Sequence, residues 1–220
     1  MTRRLVVFDV DGTLVDSQAH ILGAMALAYA GQGLPVPGRE AILNIVGLSL
    51  PQAFARLMPD GDALQIDALV AGYKSSFGTL RAADMSLMYP GAKEALETLG
   101  GQKDMLLGVA TGKSRRGLDH VLSAHALEGF FHTTQVADDH PSKPDPSMLH
   151  ACLAETGTSC GIMIGDTSYD IEMGRAAGFR TLGVAWGYHP VAELERAGAD
   201  LVIDSYSALI PALDDIWSMA

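Results

Sequence analysis

The strongest constraint on the fold is a recurrence. Short apolar runs at Leu5–Phe8, Met105–Ala110, Thr133–Ala137, Gly161–Ile164, Thr181–Ala185 and Leu201–Ile203 each lead into a polar or glycine-containing turn. Helical spacing separates most of them: Leu118, Val121 and Leu122 share one face, as do Met148, Leu149, Cys152 and Leu153. Strand-like runs alternating with helices predict an α/β fold, a Rossmann-like doubly wound parallel sheet. Ligands of such sheets bind beyond the carboxyl ends of the strands. The residues that end each run are therefore the place to look for chemistry.

One region breaks the alternation. From about Ser17 to Asp84 no strand pattern occurs, and Ile66, Leu69, Val70, Tyr73, Phe77 and Leu80 fall at helical spacing. Pro35, Pro37, Gly38, Pro59 and Gly61 divide the region into about four helices. The expectation is an α/β core from 1–15 and 85–220, with an inserted helical domain at 16–84. The two crossings, near Val15–Gln18 and Ala83–Tyr89, are placed to act together as a hinge.

The 220 residues suit one domain with a modest insertion, and 48% apolar content supplies a core without disulfides. Fifteen basic against 26 acidic residues give a formal charge of -11. That argues against a nucleic-acid or anionic-membrane surface, yet permits an anionic substrate where a bound cation inverts the local field. Cys152 and Cys160 show no metal-ligand pattern, which points to reduced thiols in the cytoplasm. The run after Arg3 and Arg4 ends at Asp9, too short for a signal core, and no stretch nears the roughly 20 apolar residues of a membrane span.

Four run ends carry candidate chemistry. In Asp9-Val10-Asp11-Gly12-Thr13, carboxylates at i and i+2 of an extended chain point the same way. One can attack phosphorus while the other moves protons; the same letters also serve as a plain polar turn. Thr111, Gly112, Lys113 and Ser114 offer a hydroxyl, a permissive glycine and a helix start, which suits a phosphate cradle or, equally, an ordinary turn and N-cap. A nucleotide P-loop is excluded, because the glycine it needs five residues before Gly112 is Leu107. Lys143, stiffened by Pro141, Pro144 and Pro146, can neutralise a carboxylate and a phosphoryl oxygen. Asp166 and Asp170, four residues apart at a strand-to-helix junction, suit Mg²⁺. Taken together, three carboxylates at two tips need a cation among them, and the combined reading is Mg²⁺-assisted phosphoryl transfer through an aspartyl-phosphate.

In this order the four motifs resemble those of the haloacid dehalogenase superfamily, in its phosphoglycolate-phosphatase-like branch, over essentially the whole chain. The resemblance implies Asp9 as nucleophile and Asp11 as general acid and base. It implies Mg²⁺ on Asp9, the Asp11 backbone carbonyl and Asp166, with Asp170 supporting the metal or Lys143. Thr111, Gly112 and Lys143 would bind the phosphoryl group of a small phosphorylated metabolite, and the inserted helices would be the family's cap. Asp11 separates the chain from true dehalogenases, which lack it. Lys74 is the single lysine of the insertion, and nothing marks it as the Schiff-base lysine of phosphonate-cleaving relatives.

Hexose-phosphate mutases share all four motifs and remain the alternative. A phospho-aspartate signalling receiver and a non-catalytic ligand-binding protein are the readings from other classes. Candidate specificity residues are Gly47, Leu48 and Ser49, which interrupt the inserted helices, with His20 and Lys113. Arg39, Arg56 and Arg81 are further candidates for a second substrate anion. His189 after the Thr181–Ala185 run is read as part of a loop packed by Trp186. Either a monomer or a homodimer fits this picture.

Overall fold

The first apolar run forms strand β1 (Arg4–Phe8), and a two-residue strand β2 (Val15–Asp16) follows the Asp9–Thr13 turn. This computed structural model describes residues 3–219. Four helices come next: α1 (Gln18–Gly31), α2 (Arg39–Leu43), α3 (Leu50–Leu57) and α4 (Ala63–Ala83). The chain returns through β3 (Leu87–Met88) into α5 (Ala92–Gly100). Strands and helices then alternate: β4 (Met105–Thr111), α6 (Arg115–Ala124), β5 (Thr133–Val136), α7 (Ser147–Thr156), β6 (Gly161–Gly165), α8 (Ser168–Ala176), β7 (Arg180–Val184), α9 (Val191–Ala197), β8 (Leu201–Ile203) and α10 (Leu209–Ser218).

Among the described residues six strands form one sheet, in the order β5-β4-β1-β6-β7-β8, and every pairing in it is parallel. β1 and β4 are buried on both faces, as a sheet covered by helices requires. The alternation of side chains divides β1 between two cores. Val6 and Phe8 join Leu96, Leu99, Leu209, Leu213 and Ile216 on the side of α5 and α10. Leu5 and Val7 join Met148, Leu149, Cys152 and Met173 on the side of α7 and α8. The strand order reverses beside β1, so the tips of β1, β4 and β6 meet at the switch point where such sheets bind ligands.

The inserted helices have an apolar centre of their own: Ile21, Met25, Ala28, Tyr29, Ala53, Phe54 and Leu69 are buried together. α4 lies along α1, with Gly72 facing Ala28: a Cβ added there would sit 3.5 Å from the Ala28 Cα, an ordinary van der Waals contact. An Asp62–Gln65 capping box starts α4. Both crossings are held by an antiparallel ribbon in which Val15 pairs with Met88 and Asp16 with Leu87. Sequence reading gives these crossings as a hinge without strands. Two residues are too few to print a periodicity, and Asp16 and Leu87 are exposed.

Candidate active site

β1 delivers Asp9 to the dry end of the sheet, where its side chain is buried. The Lys143 ammonium lies 2.6 Å from Asp9 Oδ1 and 2.6 Å from Asp170 Oδ1, with no exposed surface of its own. Burial works against its charge, but Asp170 and Asp9 outweigh that and hold the ammonium above the usual lysine range. Asp170 is fixed from the other side by the Thr167 hydroxyl and backbone N–H, which donate to its Oδ2 at 2.7 and 3.1 Å, the capping box that starts α8.

Asp166, at the tip of β6, accepts from the Thr13 hydroxyl at 3.0 Å and from the Tyr188 backbone N–H at 2.8 Å. Thr13 is itself held through its carbonyl by the Tyr206 hydroxyl at 2.8 Å and the Trp186 indole at 3.2 Å. Gly12 turns the chain here at φ +81°, and any Cβ on it would collide with the Asp166 carboxylate.

Asp9, Asp166 and Asp170 each present an oxygen within 4.8 Å of the other two, and all three are buried. One ammonium compensates Asp9 and Asp170, while Asp166 receives neutral donors alone. Desolvation, with Asp170 and Asp11 adding to it and Lys143 opposing, pushes Asp9 up to about 7. Desolvation, Asp170 and Asp9 raise Asp166 well above the carboxylate range. An excess of buried negative charge on hard oxygen atoms fits a hard divalent cation. The Asp11 carboxylate stands outside this cluster. It pairs with the Lys113 ammonium at 2.8 Å and accepts from the Ser17 hydroxyl. The two aspartates of one turn therefore have different surroundings: Asp9 faces the buried cluster, Asp11 the Lys113 ammonium at the cavity wall.

That cavity has a volume of about 880 Å³ and is walled on one side by Asp9, Asp11, Thr111, Gly112 and Lys113, on the other by α1, α4 and the loop after α2. Thr111 is buried at the tip of β4, its hydroxyl accepting from the Lys113 backbone N–H at 3.3 Å. Ser114 caps α6 by accepting from the Gly117 backbone N–H at 3.2 Å.

A family model described as Haloacid dehalogenase-like hydrolase matches residues 6–184. The chain belongs to that family. A protein named Probable phosphatase IndB from Dickeya dadantii is 34% identical over 215 residues, covering 94% of this chain and 92% of the relative. A Phosphoglycolate phosphatase from Caulobacter vibrioides is 36% identical over 212 residues, covering 91% and 86%. The crystal structure of a hydrolase from Pseudomonas syringae superposes with a TM-score of 0.87 at 26% identity, covering 97% and 99%. A haloacid dehalogenase-like family hydrolase from Streptococcus pneumoniae, at 24% identity, shares the fold with a TM-score of 0.82.

In this haloacid dehalogenase-like hydrolase the loop at Gly47–Ser49 does reach the strand tips. The Ser49 backbone N–H donates to the Ser142 hydroxyl at 2.7 Å, next to Lys143. A Cβ on Gly112 would lie 2.6 Å from the Gly47 carbonyl oxygen, so only glycine lets the two backbones meet. Gly47, Leu48 and Lys113 line the cavity, whereas Ser49 and His20 are not among its lining residues. His20 is buried against Phe77, and its Nδ1 pairs with the Ser86 hydroxyl at 2.7 Å. That contact ties α1 to the returning crossing and makes His20 a hydrogen-bonded histidine away from the cavity wall.

Of the three arginines, Arg81 lines the cavity and Arg39 is exposed elsewhere. Arg56 donates to the Tyr169 hydroxyl at 2.9 Å, and that hydroxyl donates to the Asn44 carbonyl at 2.9 Å. His189 is buried, accepting from the Ser168 backbone N–H at 3.1 Å, with Nε2 3.3 Å from the Asn44 carbonyl. Burial lowers its pKa, which matches a neutral ring bridging the core to the inserted helices. Sequence reading missed Arg116, Phe77 and Tyr73 as cavity walls and Ser17 as the partner of Asp11. Ser17 lies four residues past the first motif, after Leu14-Val15-Asp16, close enough in the chain to be looked for; the spacing of the helical residues carried no such signal for the others.

Proposed function

We propose that this hydrolase is a Mg²⁺-dependent phosphatase of small phosphorylated metabolites, of the phosphoglycolate or sugar-phosphate type, working through an aspartyl-phosphate on Asp9. It is a cytoplasmic monomer or homodimer. Both cysteines are free, and no helix among the described residues is long and apolar enough to cross a membrane. The observation that carries the reading is the split between Asp9, buried with Lys143, and Asp11, set apart at the cavity wall.

Asp9 attacks phosphorus, forming one Asp9–phosphorus bond as the ester P–O bond breaks. The departing oxygen takes its proton from Asp11. In the second half Asp11 takes a proton from water, whose oxygen attacks phosphorus and releases inorganic phosphate and the Asp9 carboxylate. Thr111, the Gly112 backbone and Lys143 hold phosphoryl oxygens, and Lys143 offsets their charge in a site shielded from water. When bound by Asp9, the Asp11 carbonyl and Asp166, with Asp170 in support, Mg²⁺ would supply further charge compensation. Gly47, Leu48 and Lys113, which line the cavity, contact the part of the substrate beyond the phosphate. The inserted helices act as a cap over the site.

A phosphate-release screen across phosphorylated metabolites tests this, with chelator and Asp9→Asn controls. Release should require Mg²⁺ and fall on the order of 10⁴-fold or more in Asp9→Asn. Interconversion of sugar phosphates without release would replace the reading with the mutase one.

A further inference from the structure

We infer that Ser17 and Tyr188 are positioning residues for Asp11: their hydroxyls, acting in series, hold its Oδ1 and leave Oδ2 as the oxygen that moves the proton. The inference rests on the phosphatase reading above. Both side-chain contacts of Asp11 fall on one oxygen. The Ser17 hydroxyl donates to Oδ1, and the Lys113 ammonium lies 2.8 Å from the same atom. Oδ2 meets no donor among the described residues. Asp11 lines the cavity, whereas Ser17 and Tyr188 are not among its lining residues, so the pair reaches substrate only through Asp11.

Ser17 is buried where β2 gives way to α1, and its hydroxyl makes no capping bond to that helix. Its one proton goes to Asp11, so the Tyr188 hydroxyl, 3.2 Å away, is the donor to Ser17 Oγ. The bonds run in one direction, from Tyr188 through Ser17 to Asp11. Tyr188 comes from the loop between β7 and α9, and its ring lies against the first motif: a Cβ on Gly12 would fall 2.9 Å from ring Cε2. Its backbone N–H donates to Asp166 at 2.8 Å. One residue thus grips both sides of the site, Asp166 in the buried cluster by its backbone and Asp11 at the cavity wall by its side chain. An aspartate carboxylate turns easily about its last torsion, and the Lys113 ammonium, on a flexible stem, turns with it. The Ser17 hydroxyl, buried and held by Tyr188, fixes Oδ1 instead. Oδ2 is then the free oxygen: it gives its proton to the departing ester oxygen as the P–O bond breaks, and takes one from the water that hydrolyses the aspartyl-phosphate.

Propyl phosphate and p-nitrophenyl phosphate separate this role from a structural one, because propoxide needs a proton to leave and nitrophenolate does not. kcat/KM counts only the steps up to cleavage of the ester, so it isolates the proton that Asp11 gives. With Mg²⁺, Ser17→Ala and Tyr188→Phe should each lower kcat/KM for the propyl ester about tenfold more than for the nitrophenyl ester. Ser17→Thr, which keeps a hydroxyl, should restore the propyl rate. Tyr188→Phe added to Ser17→Ala should cost little more, since the two act in series. Equal losses on the two esters, or losses that multiply in the double variant, overturn the inference. Crystal structures of the substrate-free variants give a readout without turnover: the Asp11 carboxylate should be turned or spread over several orientations, and one that stays in place overturns the inference as well. If the wild type cleaves neither ester, the phosphatase reading fails; there, and where it cleaves the nitrophenyl ester alone, the structures still decide whether the pair holds Asp11. Tyr188→Phe keeps the ring and the backbone N–H to Asp166, so it serves alone if Ser17→Ala does not fold.

Discussion

Asp9, Asp166 and Asp170 form a buried acidic cluster with one lysine, and their protonation is tied to folding. Asp9 is raised from 3.8 to about 7 in the folded, metal-free protein. A folded acid with a raised pKa binds more protons than the unfolded chain between those two values, so its contribution to stability is present below about pH 4 and is lost as pH rises through about 7. Asp166 shifts in the same direction. Mg²⁺ binds the ionised carboxylates, so the rise in Tm on adding it should be larger at pH 7.5 than at pH 5. Equal rises in parallel thermal melts would contradict a cation at this cluster. The residues at the strand tips were legible in the sequence because their types are rare in that combination. Which partner each takes was not: Lys113 reads as one letter of a "TGK" turn, and its ion pair with Asp11 depends on a loop meeting another strand's tip.

At the scale of elements, parallel strands under helices print as short apolar-rich runs, and so β1 and β4 to β8 lie within one residue of their expected bounds. The ribbon of β2 and β3 left no such print. Helix faces were half legible. The α4 stripe marks a buried side, but not which arginine of the insertion faces the cavity, because that depends on how α4 docks on α1 and over the core. The contact between the Gly47 loop and Gly112 gives a sharp test. Gly112→Ala places a methyl against the Gly47 and Leu48 carbonyls at 2.6 and 2.9 Å. Overpacking of this kind costs about 1–3 kcal/mol. Chemical denaturation should show that loss, with kcat/KM lowered at least about tenfold as the loop is displaced from the strand tips. Gly31→Ala meets nothing within 4 Å and should leave both quantities alone.

For the whole molecule, core and inserted helices are joined by the β2–β3 ribbon and by contacts that converge on the Asn44 carbonyl from Tyr169 and His189. Tyr169→Phe removes a hydroxyl that both accepts from Arg56 and donates to Asn44. A loss of about 1 kcal/mol in urea unfolding is expected, since the part-buried Asn44 carbonyl loses a donor while the exposed Arg56 regains water. An unchanged midpoint would mean that solvent replaces those bonds at no cost. Across this join the cavity brings Asp9, Asp11 and the Thr111–Lys113 turn of the core against the Gly47 loop and α4 of the insertion. On the proposed reading the chemistry stays with the sheet, and the choice of substrate lies with the helices above it. The central claim is that Asp9 carries the phosphoryl group. Acid-quenching the enzyme during turnover, followed by mass spectrometry of its peptides, tests it most directly. One phosphoryl group on the peptide containing Asp9, absent from Asp9→Asn, is the expected result; phosphate release at the full rate by Asp9→Asn, or a phosphoryl group found on another residue, would contradict it.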